Sequence, residues 1–335
     1  MTDQNQKPDP QSTQKNEDGG RVADATEFNW VDRFCPLWSR PYLRLSRADR
    51  PTGTWLLLIP CWWGLMFAII FDPKGIQPMD AWITVGCALG AFLMRGAGCT
   101  WNDITDRHID AKVERTRSRP IPSGQVTSIQ AAAWMIIQAL LASCILFSFN
   151  WFTIVLGALS LLPVAFYPFA KRLTWWPQIF LGIAFNWGAL LAWAAHTGSL
   201  SLTPVLLYSA GIAWTLFYDT IYAHQDLEDD ALIGVKSTAR LFANNTPRWL
   251  LIFQIIAITL MLLAIFASAA VPSLPSNPFA LLFVFMGVCG FSIHLSIQLR
   301  KLDINDTYKC LNLFRSNREA GLIPIVFWAV AIMVS

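Results

Sequence analysis

The sequence predicts an all-α integral membrane protein with about nine transmembrane helices. Hydrophobic residues make up 54% of its 335 residues and charged residues 14%, against about 25% charged in ordinary globular chains. The apolar residues are collected into long blocks, several of which approach the roughly 20 residues that cross the hydrocarbon layer. The charges lie between the blocks, where a soluble helical protein would carry them as stripes along its helices.

Residues 1–28 are rich in Asp, Gln, Lys, Ser and Thr, with almost no large apolar side chains, and read as a disordered tail. They lack the apolar core of a signal peptide, and their acidic residues argue against a mitochondrial transit peptide. Residues 29–50 mix Trp30, Phe34, Leu37, Trp38, Tyr42 and Leu45 with Arg33, Arg40, Arg44, Arg47 and Arg50. That mixture predicts an interfacial helix leading into the membrane. Residues 51–335 then form one helical domain. Its expected spans are Thr52–Phe71, Met79–Met94, Ser128–Ser148, Trp151–Ala170, Pro177–His196, Leu202–Tyr218, Trp249–Val271, Pro278–Ile297 and Ala320–Ser335. Tryptophans near span ends, such as Trp175 and Trp176, fit interfacial belts.

Orientation follows from Lys and Arg. With the N-terminus cytoplasmic, so are 95–127, 171–176, 219–248 and 298–319. Of the 25 basic residues only Lys74 then falls on the other side. The chain is expected in a bacterial inner membrane, with its N-terminus and its active site cytoplasmic. The net charge of +3 reflects this topology, so no nucleic-acid partner is implied, and nothing in the sequence asks for an obligatory protein partner. The seven cysteines form no CxxC pair and sit mostly in or beside apolar spans. Neither disulfides nor zinc is expected.

Two acidic clusters stand at span ends. One runs from Asn102 to Asp110, with Asp103, Asp106 and Asp110 at i, i+3, i+7; in Asp219–Asp226 the residues Asp219, Tyr222 and Asp226 repeat that spacing, followed by Glu228, Asp229 and Asp230. On helices each set lines one face. Carboxylates beside a membrane are costly unless they face water, a partner or a cation. Hard oxygen ligands suit Mg2+, which takes one or two carboxylates together with substrate phosphates. Arg47, Lys112, Arg115, Arg117, Arg119, Lys171, Arg172 and Lys236 share that side of the membrane, so a magnesium-bridged diphosphate resolves the charge balance. Ion transport is the competing reading. It lacks a path, because the span middles contain almost no ionisable groups.

At these residues the chain resembles the UbiA superfamily of membrane-embedded aromatic prenyltransferases, which carry NDxxDxxxD and DxxYAxxD elements. Here they read NDITDRHID (102–110) and DTIYAHQD (219–226). RADRPTG (47–53), RSRPIPSG (117–124), YPFAKR (167–172), PQIFLGIAFNWG (177–188) and DTIYAHQDLEDDALIGVKSTA (219–239) place it nearer the 4-hydroxybenzoate polyprenyltransferase branch. The resemblance covers about residues 40–335. It implies nine helices around a central cavity, with a metal-diphosphate site under a cytoplasmic cap. It also implies transfer of a polyprenyl group from polyprenyl diphosphate to the carbon ortho to the hydroxyl of 4-hydroxybenzoate, in ubiquinone biosynthesis. Other acceptors within the family are haem, homogentisate and naphthoates.

The same resemblance implies a role for each motif residue. Asn102, Asp103, Asp106 and Asp110 are candidates for one half of a magnesium-diphosphate site, and Asp219 and Asp226 for the other. Arg117, Arg119, Lys171, Arg172 and Lys236 are candidates for the diphosphate, with Lys236 also a candidate partner of Asp230. Arg47 suits either a phosphate or the carboxylate of the aromatic acid. Tyr167 and Tyr222 can orient substrate or stabilise an allylic cation through their ring faces. His108 and His224 point off the carboxylate faces, and with His196 and His294 are expected to be structural. Gly182 and Gly188 are expected to allow close helix packing, as is Asn186, which is also a candidate contact for the aromatic substrate.

Overall fold

The computed structural model describes residues 29–114, 116–227, 231, 234–269 and 277–335. The tail expected at 1–28, Arg115 and the acidic run Glu228–Asp230 lie outside them. The chain divides into two compact units, Met1–Pro51 with Gly96–Gln138, and Thr52–Arg95 with Ala139–Ser335.

In the smaller unit the segment expected as one interfacial helix is two short ones, α1 (Trp30–Phe34) and α2 (Arg40–Leu45). Pro36 explains the break: a proline pushes the residue before it out of the helical region, and Cys35 is extended at φ −91°, ψ 145°. Asn29 caps α1, accepting from the Asp32 amide at 2.9 Å. Arg44 Nη2 donates to Asp32 Oδ1 at 2.8 Å and ties α2 to α1. Phe34, Leu37 and Trp38 stay exposed, as an interfacial segment requires. Leu45 packs with Val126 and Ala131, flanked by Tyr42, Ile104 and Trp134.

The larger unit is a helical bundle. It comprises α3 (Thr52–Phe71), the first half of α4 (Met79–Asp110), the C-terminal part of α5 (Ser128–Leu146), α6 (Trp151–Leu159), α7 (Leu161–Leu173), α8 (Pro177–Thr197), α9 (Leu202–Ala223), α10 (Thr238–Phe242), α11 (Thr246–Ala269), α12 (Pro278–Lys301), α13 (Thr307–Arg315) and α14 (Asn317–Val334). α9 packs on α8 and α11, α3 on α8 and α14, and α12 on α14. Trp63, Trp214, Phe291 and Trp328 form a fully buried aromatic centre, with Trp63 and Trp214 stacked at 5.1 Å. Each indole N–H finds an acceptor there, Gly321 O at 2.9 Å for Trp63 and Asn317 Oδ1 at 2.9 Å for Trp214, so no donor is stranded. Gly64 lets α3 meet α8: a Cβ there would lie 2.1 Å from the Ala189 carbonyl oxygen.

Among the described residues, eight helical stretches are long and apolar enough to cross a membrane. Eight of the nine expected spans coincide with them. The ninth, Leu202–Tyr218, forms α9 but is not among the eight. It buries Thr203, Thr215, Trp214 and Tyr218 against protein, and a helix surrounded by other helices needs no lipid-matching surface. The span expected at Trp151–Ala170 breaks at Ser160 into α6 and α7. Pro163 accounts for this, because its ring clashes with the carbonyl four residues earlier. His196 is more than a packing residue: its Nδ1 lies 2.6 Å from Asp80 Oδ1 and its Nε2 3.5 Å from Asp72 Oδ2.

Candidate functional site

α4 runs sixteen residues past the expected span end at Met94 and carries the first acidic cluster on its last turns. The predicted face is real: Asp103, Asp106 and Asp110 are buried, while Arg107 and His108 between them are exposed. Asn102, one position off that face, is half-buried. Arg47 Nη2 donates to Asp103 Oδ1 at 2.5 Å. Arg119 Nη1 reaches Asp110 Oδ2 at 2.8 Å and Asp103 Oδ1 at 3.4 Å. Asp103 Oδ2 and Arg119 Nε are buried without a hydrogen-bond partner. Arg47 adopts a left-handed backbone, φ 55°, which costs a non-glycine residue free energy and clusters at functional sites. A small network braces it: Ser46 Oγ accepts from Trp134 Nε1 at 2.8 Å and donates to Gln138 Oε1 at 3.0 Å. Arg117 stands apart, 64% exposed and paired with Glu114.

In the larger unit, Asp219 and Tyr222 lie on the last turns of α9, both half-buried. The helix does not continue through the cluster. His224–Asp226 is a 3-10 turn, so Asp226 leaves the α-helical register that the spacing implied. Tyr222 rests against Phe314 with ring centres 4.5 Å apart. His224 is buried, its Nε2 3.2 Å from Thr246 Oγ1, and burial holds its imidazole below the ordinary range. Thr220 and Thr238 share a hydroxyl hydrogen bond at 2.7 Å that draws α10 to α9.

Two basic residues, Lys236 and Arg240, gather near Trp175. The Lys236 amide donates to the Lys171 carbonyl at 3.2 Å, and its Nζ donates to the Leu173 carbonyl at 3.4 Å. Lys236 Nζ and the Arg240 guanidinium lie 6.0 Å and 5.4 Å from the Trp175 ring centre. Arg172 is exposed beside Phe169, and Tyr167 is half-buried. Lys236 thus has protein partners of its own; the pairing expected with Asp230 lies outside the described residues. Asn186 Nδ2 donates to Gly182 O and Thr215 Oγ1, both at 2.8 Å, which is the packing role expected of it.

Arg95 falls among the topological charges expected after Met94. It lies inside α4, flanked on both sides by apolar and small residues. Among the described residues no three His, Cys, Asp or Glu side chains are gathered as a ready-made metal cage.

The profile of the UbiA prenyltransferase family matches residues 57–333. The chain belongs to the UbiA family. Among its relatives, the mitochondrial 4-hydroxybenzoate polyprenyltransferase of Aedes aegypti is 47% identical over 286 residues, covering 84% of this chain and 61% of that protein. The Rattus norvegicus protein of the same name is 45% identical, covering 85% and 72%. The Arabidopsis thaliana one is 43% identical, covering 94% and 74%. The chain thus spans about three-fifths to three-quarters of the length of these relatives. In fold, this UbiA-family chain is similar to a UbiA homolog from Aeropyrum pernix K1, with a TM-score of 0.66, 21% identity and coverage of 85% and 98%. A UbiA homolog from Archaeoglobus fulgidus bound to GPP and Mg2+ gives 0.65, 18%, 88% and 100%.

These relatives overturn the expected bacterial inner membrane, because each is named mitochondrial. The bias of Lys and Arg separates one face from the other but does not tell which membrane carries them. The cytoplasmic label for the basic face falls with the bacterial one.

Proposed function

We propose that each acidic cluster, with the basic side chains beside it, binds Mg2+ and the diphosphate of a polyprenyl donor, in a mitochondrial membrane. The chain transfers the polyprenyl group to the carbon ortho to the hydroxyl of 4-hydroxybenzoate, a step of ubiquinone biosynthesis. The relatives' shared name supports the reaction. The observation that carries the site is the buried Asp103–Asp106–Asp110 face, held by two arginines and keeping one carboxylate oxygen, Asp103 Oδ2, without a partner.

That donor set fits magnesium. Its carboxylates are hard oxygen ligands, and they need not form a complete cage, since magnesium completes its shell with phosphate oxygens and water. When bound, magnesium stabilises the charge that develops on the departing diphosphate. Asn102, Asp103, Asp106 and Asp110 would hold it at one cluster, Asp219 and Asp226 at the other. Arg47, Arg119, Lys171, Arg172 and Lys236 supply cationic donors for phosphate oxygens. Arg117, solvated and paired with Glu114, contributes least. As the allylic C–O bond breaks, its electron pair leaves with the diphosphate. The ring carbon of the phenol then forms the new C–C bond, and that carbon loses its proton. Tyr167 and Tyr222 offer aromatic faces to the transient allylic cation. The apolar spans keep water, which would quench that cation, away from it.

The test is diphosphate release by purified protein with both substrates. We expect release to cease in EDTA, to return with added Mg2+, and to fall by orders of magnitude in Asp106→Asn. Undiminished release in EDTA would remove the magnesium assignment.

A further inference from the structure

A cavity of about 590 Å3 lies between the end of the spanning helix α12, α13 and Ser316 ahead of α14. None of its lining residues belongs to the proposed diphosphate site. Its cations are Arg300 and Lys301 on the last turn of α12 and Lys309 on α13, all exposed. Asp303 is the carboxylate that lines it, and Lys309 Nζ lies 3.7 Å from Asp303 Oδ2. Among the described residues neither Arg300 nor Lys301 forms an ion pair. The floor is fixed by hydrogen bonds. Gln298, 2% exposed, has its Nε2 3.1 Å from His294 Nδ1 and accepts from Asn317 Nδ2 at 3.0 Å. Asn317 Oδ1 in turn accepts from Trp214 Nε1, in the aromatic centre, at 2.9 Å.

Cations at the end of an apolar span stand at the depth of lipid headgroups. Asp303 offsets Lys309, which leaves the two charges of Arg300 and Lys301 uncompensated. The apolar surface of α12 continues from the cavity along the same face: Ile297 lines it and is 44% exposed, and Ile293, one turn deeper, is 60% exposed. A free phosphate would use the cations alone, whereas a phospholipid uses the cations and the apolar strip together. We infer that this cavity holds the phosphate of an anionic membrane phospholipid, whose acyl chains run along Ile297 and Ile293. The Arg300 fork suits two phosphate oxygens, Lys301 supplies a point charge, and Asn312 on α13 adds an amide donor.

The test is lipid retention by the whole protein, read by native mass spectrometry from neutral detergent micelles doped with phosphatidylglycerol or phosphatidylcholine. The wild type should retain phosphatidylglycerol in preference to phosphatidylcholine. Each Lys or Arg facing an anionic lipid contributes roughly fivefold in affinity. Arg300→Gln/Lys301→Gln should therefore raise the phosphatidylglycerol fraction needed for half-occupancy by about 30-fold. Arg300→Lys/Lys301→Arg, which keeps both charges, should keep most of the retention. Lys309→Gln should cost less than either, since Asp303 already engages that ammonium. Arg248→Gln/Lys74→Gln removes the same charge at exposed positions outside the cavity and should match the wild type. An excess of inorganic phosphate should leave the lipid in place. Unchanged retention in Arg300→Gln/Lys301→Gln, an equal loss in both neutralised pairs, no preference between the two lipids, or displacement by inorganic phosphate overturns the assignment. The readout is binding, so it stands or falls independently of prenyl transfer.

Discussion

Replacing Arg47 by Gln probes the brace on the first acidic cluster. The Asp103 side chain is 0% exposed and that of Arg47 8%, with 2.5 Å between them. Removing one member of such a pair strands a buried charge and costs about 3–5 kcal/mol. Arg119 still reaches Asp103, at 3.4 Å, so the loss belongs at the lower end, about 3 kcal/mol. Backbone strain separates two variants. Arg47→Gly loses the same ion pair but relaxes a left-handed residue, which returns about 1 kcal/mol. Arg47→Gln should therefore be the less stable of the two. In the double variant with Asp103→Asn no charge is stranded, and the combined loss should fall short of the sum of the singles by more than about 1 kcal/mol. Equilibrium unfolding in mixed detergent micelles, without magnesium or donor, measures all four proteins. Additivity of the two single variants would refute the buried-pair account.

Other outcomes follow from particular contacts. Gly64→Ala should push α3 from α8 and cost about 1–3 kcal/mol, read as a lower midpoint of thermal unfolding in detergent; an unchanged midpoint would show that the helices do not touch there. Arg117→Gln should change stability by under about 1 kcal/mol and leave turnover near wild type, whereas Arg119→Gln should lose activity by orders of magnitude; equal effects would contradict the geometry. Burial pushes the Asp32 carboxyl up, but hydrogen bonds from Arg44 and Asn29 and the charges of Arg44 and Arg40 outweigh it and hold it below its ordinary range. Its contribution to stability is then complete above the unfolded carboxylate value of about 3.9 and disappears as pH falls through the lower folded value. Unfolding at pH 7 and pH 3 should show a smaller loss for Asp32→Asn than for wild type.

The apolar blocks foretold nine spans, and eight coincide with helices long and apolar enough to cross, because lipid-facing helices must be apolar on their outer surface, a local property. α9 fell outside that criterion for the opposite reason: its neighbours are helices, so Thr203, Thr215 and Thr220 can be buried in it. The face of Asp103, Asp106 and Asp110 was readable because one helix carries it. The 3-10 turn at His224–Asp226 was not, since the tertiary setting ends α9 at Ala223. Arg47 and Asp103 lie 56 positions apart, beyond any spacing rule.

Isolated membranes containing the protein test prenyl transfer to 4-hydroxybenzoate directly. Ring-labelled 4-hydroxybenzoate, a polyprenyl diphosphate and Mg2+ should give a labelled lipid whose prenyl group sits ortho to the hydroxyl, absent when the diphosphate is left out and greatly reduced in Asp219→Asn. No labelled lipid from the wild type, or the same yield from Asp219→Asn, would contradict it.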